Sequence, residues 1–337
     1  MSQSFDIAVV GATGTVGETV VQVLDERHFP VGNLHLLASI ESAGHSVPFR
    51  GKNVRVREVD AFDFSQVRLA FFAAGPAISR SYAEKAIAAG CSVVDLSGAF
   101  LSAQAPNVVP EINATLLDTC GSAPHLVASP SASATAVALA LAPLRALLDI
   151  QSVAVTACLA VSALGREGVS ELARQTTELL NVRPLETRFF DRQMAFNVLA
   201  QVGKPDESGH LSLEKRLVDE LRELLALPSL KVSATCIQVP VFFGDSFTVA
   251  LRTAGPVDVV AVNAALESAA GIELVDAGDY PTPVGDAVGQ DVVYVGRVRA
   301  GTDDPEQLNL WLTCDNVRKG AALNAVQVGE LLIKDYV

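Results

Sequence analysis

Three glycines, Gly11, Gly14 and Gly17, stand at the spacing G-x-x-G-x-x-G directly after the apolar run Phe5-Asp-Ile-Ala-Val-Val10. At a strand-to-helix turn such glycines let the backbone bend sharply, approach a pyrophosphate closely and lay the helix tight on the sheet. The helix beyond offers its first N–H groups and a partial positive charge to phosphate oxygens. The chemistry this implies is dinucleotide binding, with Gly11, Thr13, Gly14, Thr15 and Val16 as the cradle. The same spacing occurs in ordinary tight turns, but here a strand precedes it and a helix follows. Nucleophiles are harder to place. Cys91, Cys120, Cys158, Cys236 and Cys314 are scattered and form no C-x-x-C pair, which reads as reduced buried thiols and not as a disulfide framework or a zinc site. Ser129, Ser131 and Ser133 lie near His125, and a Ser–His pair would mean hydrolytic chemistry. His125 comes before a strand and the serines after it, so the serines are expected to cap the next helix instead. Trp311 and the histidines at 28, 35, 45 and 210 have no sequence neighbours that suggest a ligand role.

The elements that must hold these residues follow from periodicity. Ile7, Val9 and Val10 read as a buried parallel strand and residues 18–24 as the helix beyond the turn. Residues 34–39 are predicted to be the second strand, followed by a turn at 40–44 and a short excursion bearing glycine and proline. Residues 54–59 alternate apolar with charged side chains, as a half-exposed strand would. Residues 69–73 form a buried strand running into Ala74-Gly75-Pro76, and a helix at 79–89 closes at Gly90. Strands at 93–95, 108–111 and 126–128 complete the series. Strands alternating with helices predict a Rossmann-like doubly wound parallel sheet.

From about residue 151 the texture changes. Strands are predicted at 151–161, 231–239, 246–253, 292–300 and 308–313, with helices at 164–180 and 213–227. Long strands with few helices between them predict an α+β dimerisation and substrate domain with a mostly antiparallel sheet. Such a sheet leaves a face or edge free, and homodimerisation is a use for it. A last helix at 316–332 takes Asp315 as its N-cap. The expected division is 1–131 plus the C-terminal helix 316–337 as the dinucleotide-binding domain, and 132–315 as the second domain.

Composition narrows the function. A length of 337 residues suits two domains, and a chain that is half hydrophobic and 19% charged can bury large cores. A net charge of -13 argues against a nucleic-acid partner, which would want a basic surface. No basic segment followed by an apolar run marks a signal peptide, and the apolar run at 134–144 is too short to span a bilayer. The sequence therefore predicts a cytoplasmic protein with no membrane partner.

Seven motifs, in order, resemble those of the aspartate-semialdehyde dehydrogenase family, and within it the Usg-type homologues that lack the catalytic cysteine. They are Gly11-Ala-Thr-Gly-Thr-Val-Gly17, Leu37-Ala-Ser-Ile-Glu-Ser-Ala-Gly44, Ala73-Ala-Gly75, Val108-Val-Pro-Glu-Ile-Asn113, Ala195-Phe-Asn197, Val232-Ser-Ala-Thr-Cys236 with Val239-Pro-Val241, and Asp315-Asn-Val-Arg-Lys-Gly-Ala-Ala-Leu-Asn-Ala-Val-Gln327. The resemblance implies reductive dephosphorylation of aspartyl phosphate. In that reaction a cysteine attacks the acyl carbon, phosphate leaves and NADPH delivers hydride. A histidine moves the proton, a glutamine positions the acyl group and an arginine grips the substrate carboxylate.

At each of those positions this chain differs. Where the family has Asn-Pro-Asn-Cys, the run is Ser129-Pro-Ser-Ala132, so the nucleophile position is Ala132. The glutamine position is Leu159 and the arginine position is Gln238. The histidine position is Asp245, whose ordinary pKa lies far below that of an imidazole unless strongly perturbed. The phosphate-side segment reads Leu96-Ser-Gly-Ala-Phe-Leu101 and loses the family's arginine. Cys158, beside Leu159 on a strand, would face away from it. At the nucleotide site, Glu41 replaces the arginine that pairs with the 2′-phosphate of NADP, and with Ser39 it would favour NAD, unless it is simply a solvated loop residue. Gly75 belongs to the nicotinamide side, where Pro76 removes an N–H. The expectation is a catalytically silent homologue with weak NAD or NADP binding, NAD favoured. It is expected to form a homodimer and to act by binding, hetero-association with another enzyme included. The alternative is an active oxidoreductase of amino-acid biosynthesis with rearranged catalytic residues or a different acyl substrate.

Overall fold

The computed structural model describes residues 4–336; residues 1–3 and 337, which the sequence assigns to the first domain, lie outside the described residues. The chain divides into two compact units, one running to Ser131 and resuming at Ala321, the other spanning Ala132–Gly320.

The first unit is built on seven strands: β1 (Phe5–Val10), β2 (Val31–Ala38), β3 (Ser46–Phe49), β4 (Lys52–Glu58), β5 (Leu69–Phe72), β6 (Ser92–Asp95) and β7 (Leu126–Ala128). Their order is β3-β4-β2-β1-β5-β6-β7, and every pair is parallel except β3 with β4. Strand β1 is central because both of its faces are apolar. Ile7 and Val9 enter one core with α1 (Thr15–Glu26) and a C-terminal helix, Asn324–Leu331. Ala8 and Val10 enter the other with α2 (Pro76–Ala88). This is the doubly wound arrangement that near-continuous apolar strands require.

Three sequence expectations are corrected here. The glycine- and proline-bearing excursion is strand β3, with Val47 and Phe49 inward; Pro48 is tolerated because β3 is an edge strand. Residues 108–111 are not a strand. Pro110 cannot donate to a ladder and instead opens the short helix α3 (Pro110–Asn113), leaving only an Asn107–Ala128 bridge. Helices α1 and α2 also start earlier than periodicity indicated, since much of their first turns faces outward and carries no apolar repeat.

The second unit holds α4 (Ala132–Leu141), β8 (Ile150–Leu159), α5 (Gly165–Leu180), α6 (Ser212–Leu224), β9 (Lys231–Gln238), β10 (Asp245–Thr253), α7 (Val259–Glu267), β11 (Ile272–Leu274), β12 (Val293–Ala300) and β13 (Gln307–Cys314). The sheet order is β11-β12-β13-β10-β8-β9; the three inner pairs are antiparallel and the two outer pairs parallel. The sheet is mostly antiparallel, as predicted. Helix α4 is buried all round from Ala134 to Leu141, so its apolar run is a core helix. Helix α6 buries Leu217, Leu221 and Leu224, and its Glu214 carboxylate accepts from the N–H of Cys236, covering part of the free edge of β9. Helix α7 and strand β11 were not legible in the sequence: α7 is short and buries only Val262 and Leu266. The predicted last helix begins with a wider turn, Arg318–Leu323. Among the described residues no helix is long and apolar enough to cross a membrane.

The tightest backbone contact of the first unit is the glycine turn. Gly11 has φ 83°, and a Cβ there would lie 2.8 Å from the Ala73 carbonyl; a Cβ on Gly17 would lie 2.1 Å from the Gly11 oxygen. Gly17→Ala is therefore expected to push α1 off β1 and destabilise the chain by about 1–3 kcal/mol, the usual cost of overpacking. Chemical denaturation of the two proteins checks this.

Candidate functional site

In the first unit, Gly14 is the N-cap of α1 and its backbone N–H is bonded to the Gly11 carbonyl at 3.0 Å. The first intrahelical bond runs from the N–H of Glu18 to the carbonyl of Gly14, at 2.9 Å. The N–H groups of Thr15, Val16 and Gly17 belong to the first turn, which has no intrahelical acceptors. Thr13 to Val16 are only half-buried, so this end of the helix is accessible. Gly75 is the N-cap of α2, and a Cβ on it would meet nothing within 4 Å; no protein packing demands a glycine there. Pro76 is the first residue of α2, where a helix leaves its N–H unpaired anyway. Glu41 lies exposed in the 3-10 turn Ile40–Ser42, and the Ser39 hydroxyl donates to its carboxylate at 3.1 Å. In the segment that lacks the family's arginine, the buried carboxylate of Asp95 accepts from the Ser97 hydroxyl and the Gly98 N–H. A cation does touch this segment, since Arg80 of α2 donates to the Ala99 carbonyl at 3.2 Å.

Ser129 directs its hydroxyl to Asn324 Nδ2, which donates to it at 2.9 Å. His125 and Ser129 flank the two ends of β7, and the His125 N–H donates to the Ser92 hydroxyl. No Ser–His pair forms between them.

In the second unit the register of the sheet collects three of the singled-out positions. Leu159 pairs with Gln238 on β9. Cys158 pairs with Ser246 on β10, so Asp245 lies across from Leu159, and Asp245 in turn pairs with Cys314 on β13. The pleat sends these side chains to one face, so Gln238, Leu159, Asp245 and Cys314 form a row across four strands. Their exposures are 1%, 4%, 1% and 0%, and α4 packs on β10, β12 and β13. Cys158 lies on the opposite face, as the alternation requires, and is half-buried, not the fully buried thiol the sequence suggested.

The row is closed to solvent. Gln238 Nε2 donates to the Leu159 carbonyl at 2.7 Å, while its Oε1 is buried without a hydrogen-bond partner. Asp245 Oδ1 accepts from the Ala160 N–H at 2.8 Å. Burial pushes the Asp245 carboxyl up to about 7 against that hydrogen bond, and the Asp315 carboxylate adds to the rise. Sequence alone put this group far below the imidazole range; its burial brings it there. The Cys314 thiol is raised well above its ordinary value by burial, and then by Asp245 and Asp315. It stays protonated and is a poor nucleophile.

Ala132, the first residue of α4, packs on the turn that follows β13. A Cβ on Gly320 would lie 2.6 Å from the Ala132 Cβ, so only glycine fits there. That turn is held by Asp315, whose Oδ1 accepts from the N–H groups of Val317 and Arg318 and whose Oδ2 accepts from Gly289. Asn316 Oδ1 accepts from the Gly244 N–H at 3.1 Å, and its amide pairs with the Ser162 hydroxyl at 3.0 Å. Leu159, Gln238 and Asp245 thus share one end of the sheet, and Ala132 packs on the turn beyond β13. Sequence reasoning missed Asp315 and Asn316 as the residues that hold this end; Asp315 was legible only as a helix cap.

Residues 6–120 match the family model described as semialdehyde dehydrogenase, NAD binding domain. Residues 141–319 match semialdehyde dehydrogenase, dimerisation domain. The chain is 60% identical over 334 residues to a USG-1 protein homolog of Azotobacter vinelandii, covering 99% of each chain. It is 43% identical to aspartate-semialdehyde dehydrogenase 2 of Vibrio cholerae over the full length of both. Among solved structures, a probable aspartate-semialdehyde dehydrogenase from Pseudomonas aeruginosa superposes with a TM-score of 0.97 at 58% identity, over 99% of this chain and 100% of that one.

The raised Asp245 carboxyl has a measurable consequence. A group whose folded pKa lies above its unfolded value contributes stability below the unfolded pKa and loses it as pH rises through the folded one. Between 3.8 and about 7, Asp245 therefore makes the protein less stable as pH rises. Its share of the slope is at most about 1.4 kcal/mol per pH unit. Asp245→Asn is expected to remove this share, so the stability of the variant relative to the parent should climb with pH across that window. Melting curves of both proteins at a series of pH values check it.

Proposed function

This chain belongs to the aspartate-semialdehyde dehydrogenase family, and from that premise we propose that it is a catalytically silent member which binds a dinucleotide and acts by binding or association. One observation carries the proposal: the residue at the start of α4, Ala132, presents only a methyl group where the reaction needs a thiolate. Removing a nucleophile alone typically costs on the order of 10⁴ to 10⁶ in rate. Leu159 offers no amide for the acyl group, Gln238 no charge for a carboxylate, and all of the row is shut off from solvent. The test is phosphate-dependent oxidation of aspartate semialdehyde by the purified protein. Background turnover is expected, and turnover at ordinary enzyme rates would overturn the proposal.

The active-enzyme reading has one observation in its favour. Asp245, at about 7, could exchange a proton near neutral pH. It lacks a nucleophile to serve, because Cys314 beside it is held as a neutral thiol. The same assay, repeated with other aldehydes, separates the two readings.

The residues of the first unit fit a dinucleotide. The open first turn of α1 would take the pyrophosphate through Thr13, Gly14, Thr15 and Val16, and Gly75 leaves space for a ligand. Bound there, the group would supply hydride-transfer chemistry that the second unit is not equipped to use. Ser39 and Glu41 would hold ribose hydroxyls, and the exposed Glu41 carboxylate would repel a 2′-phosphate. The second unit supports a homodimer: the family model it matches is a dimerisation domain, and β10 exposes Thr248 and Arg252 on the sheet face away from the core. Titration calorimetry is expected to show weak binding of NAD and weaker binding of NADP. Tight NADP binding would sink the stated preference.

A further inference from the structure

Three turns converge where Asp245 begins β10. Gly244, just before it, has φ 90°, and a Cβ there would lie 2.8 Å from the Pro283 carbonyl oxygen. The segment that starts at Pro283 ends at Gly289, whose N–H donates to Asp315 Oδ2 at 2.8 Å. The third turn follows β13 and seats Gly320 on Ala132. Asp315 and Asn316 tie the three together, Asn316 through the Gly244 N–H and Asp315 through the N–H groups of Gly289, Val317 and Arg318.

The two carboxyl groups at this end are unequally served. Asp315 accepts from Val317, Arg318 and Gly289, which favours its ionised form. Asp245 accepts from the Ala160 N–H and is buried. Two carboxylates in one closed place do not both ionise readily, and the one with fewer donors keeps the proton. The shift of Asp245 to about 7 has that origin, burial first and Asp315 in addition. Three thiols feel the Asp245 charge, and burial keeps all of them neutral. Cys314 on β13 is raised well above its ordinary value, Cys236 on β9 is pushed up to about 12, and Cys158 on the opposite face of β8 is raised as well. Helix α4, packed on β10, carries no ionisable side chain. Glu214 of α6 acts on Cys236 and Lys319 of the third turn on Cys314, whereas the charge that acts on Asp245 is that of Asp315.

We propose that Asp245 and Asp315 form a proton-operated clasp at this end of the sheet. With Asp245 protonated, Asp315 holds the three turns closed. When Asp245 gives its proton to solvent, repulsion between the two carboxylates loosens the turns from Asp315 and lets water reach the row of Gln238, Leu159 and Asp245. The clasp works whether or not the chain turns over a substrate. An opening that frees the carboxyl releases one proton, so its equilibrium constant grows by up to about tenfold per pH unit. The growth levels off above about 7, where Asp245 is ionised in the closed form too.

Amide hydrogen exchange of the full chain between pH 5 and 8 tests this, beside Asp245→Asn, which keeps an acceptor for Ala160 and has no carboxyl proton to lose. Comparing the two proteins at each pH cancels the intrinsic pH dependence of exchange. The amides of Gly244, Gly289, Val317 and Arg318 are expected to exchange faster than those of Val249 and Leu310 in mid-ladder. At these turn amides the ratio of parent to variant is expected to climb by up to about a hundredfold across the range and to flatten at its upper end. A ratio that stays flat with pH would overturn the proposal. So would turn amides that exchange only in step with Val249 and Leu310, because this end would then open only when the whole unit unfolds. If the variant does not fold, the parent decides alone: its exchange rates divided by the intrinsic rates must show the same rise.

Discussion

Two adjacent side chains, Asp315 and Asn316, hold the end of the second sheet together. Between them they accept backbone N–H groups from Val317, Arg318, Gly289 and Gly244 and pair with the Ser162 hydroxyl. Each N–H comes from a turn that has no ladder to satisfy it. A buried, unpaired N–H costs about 1–3 kcal/mol, so losing either side chain would release several turns at once. The turn they fix brings Gly320 against Ala132 and sets where α4 begins. Everything that happens at this end of the sheet depends on that arrangement.

The same end of the sheet holds a row of side chains shut off from solvent. With Leu159 between Gln238 and Asp245, the row across β9, β8 and β10 is apolar at its centre and closed to water. A carboxyl in such a place takes up a proton more readily than in water, and Asp245 does so with the Asp315 carboxylate nearby. Gln238 keeps one hydrogen bond, to the Leu159 carbonyl, and leaves an acceptor unanswered. These are features of a core that keeps polar groups out of reach of solvent.

Beside β12 the loop carrying Pro281 is pinned, since the Trp311 indole N–H donates to the Pro281 carbonyl. In the first unit, the glycine turn keeps an accessible helix terminus, with Gly11 at φ 83° packed close to the Ala73 carbonyl and Gly17 close to Gly11. The molecule combines an accessible glycine turn in one unit with a solvent-closed row of side chains in the other.

The sequence by itself determined the two kinds of sheet, the glycine turn and the chemistry of each side chain at the positions singled out. These depend on local pattern: alternation of strands with helices, glycine spacing, and which atoms a side chain owns. That Ala132 has no nucleophilic atom needs no structure. Proline chemistry was misjudged at 108–111 and at Pro48, because whether a missing N–H matters depends on whether the strand is at an edge. Only the tertiary structure decided that Gln238, Leu159, Asp245 and Cys314 form one row, since register between strands 79 residues apart leaves no local signal. It alone decided the protonation of Asp245, because a pKa follows from burial and neighbours, not from residue type. The elements α7 and β11 also lay beyond the sequence, being too short to announce themselves.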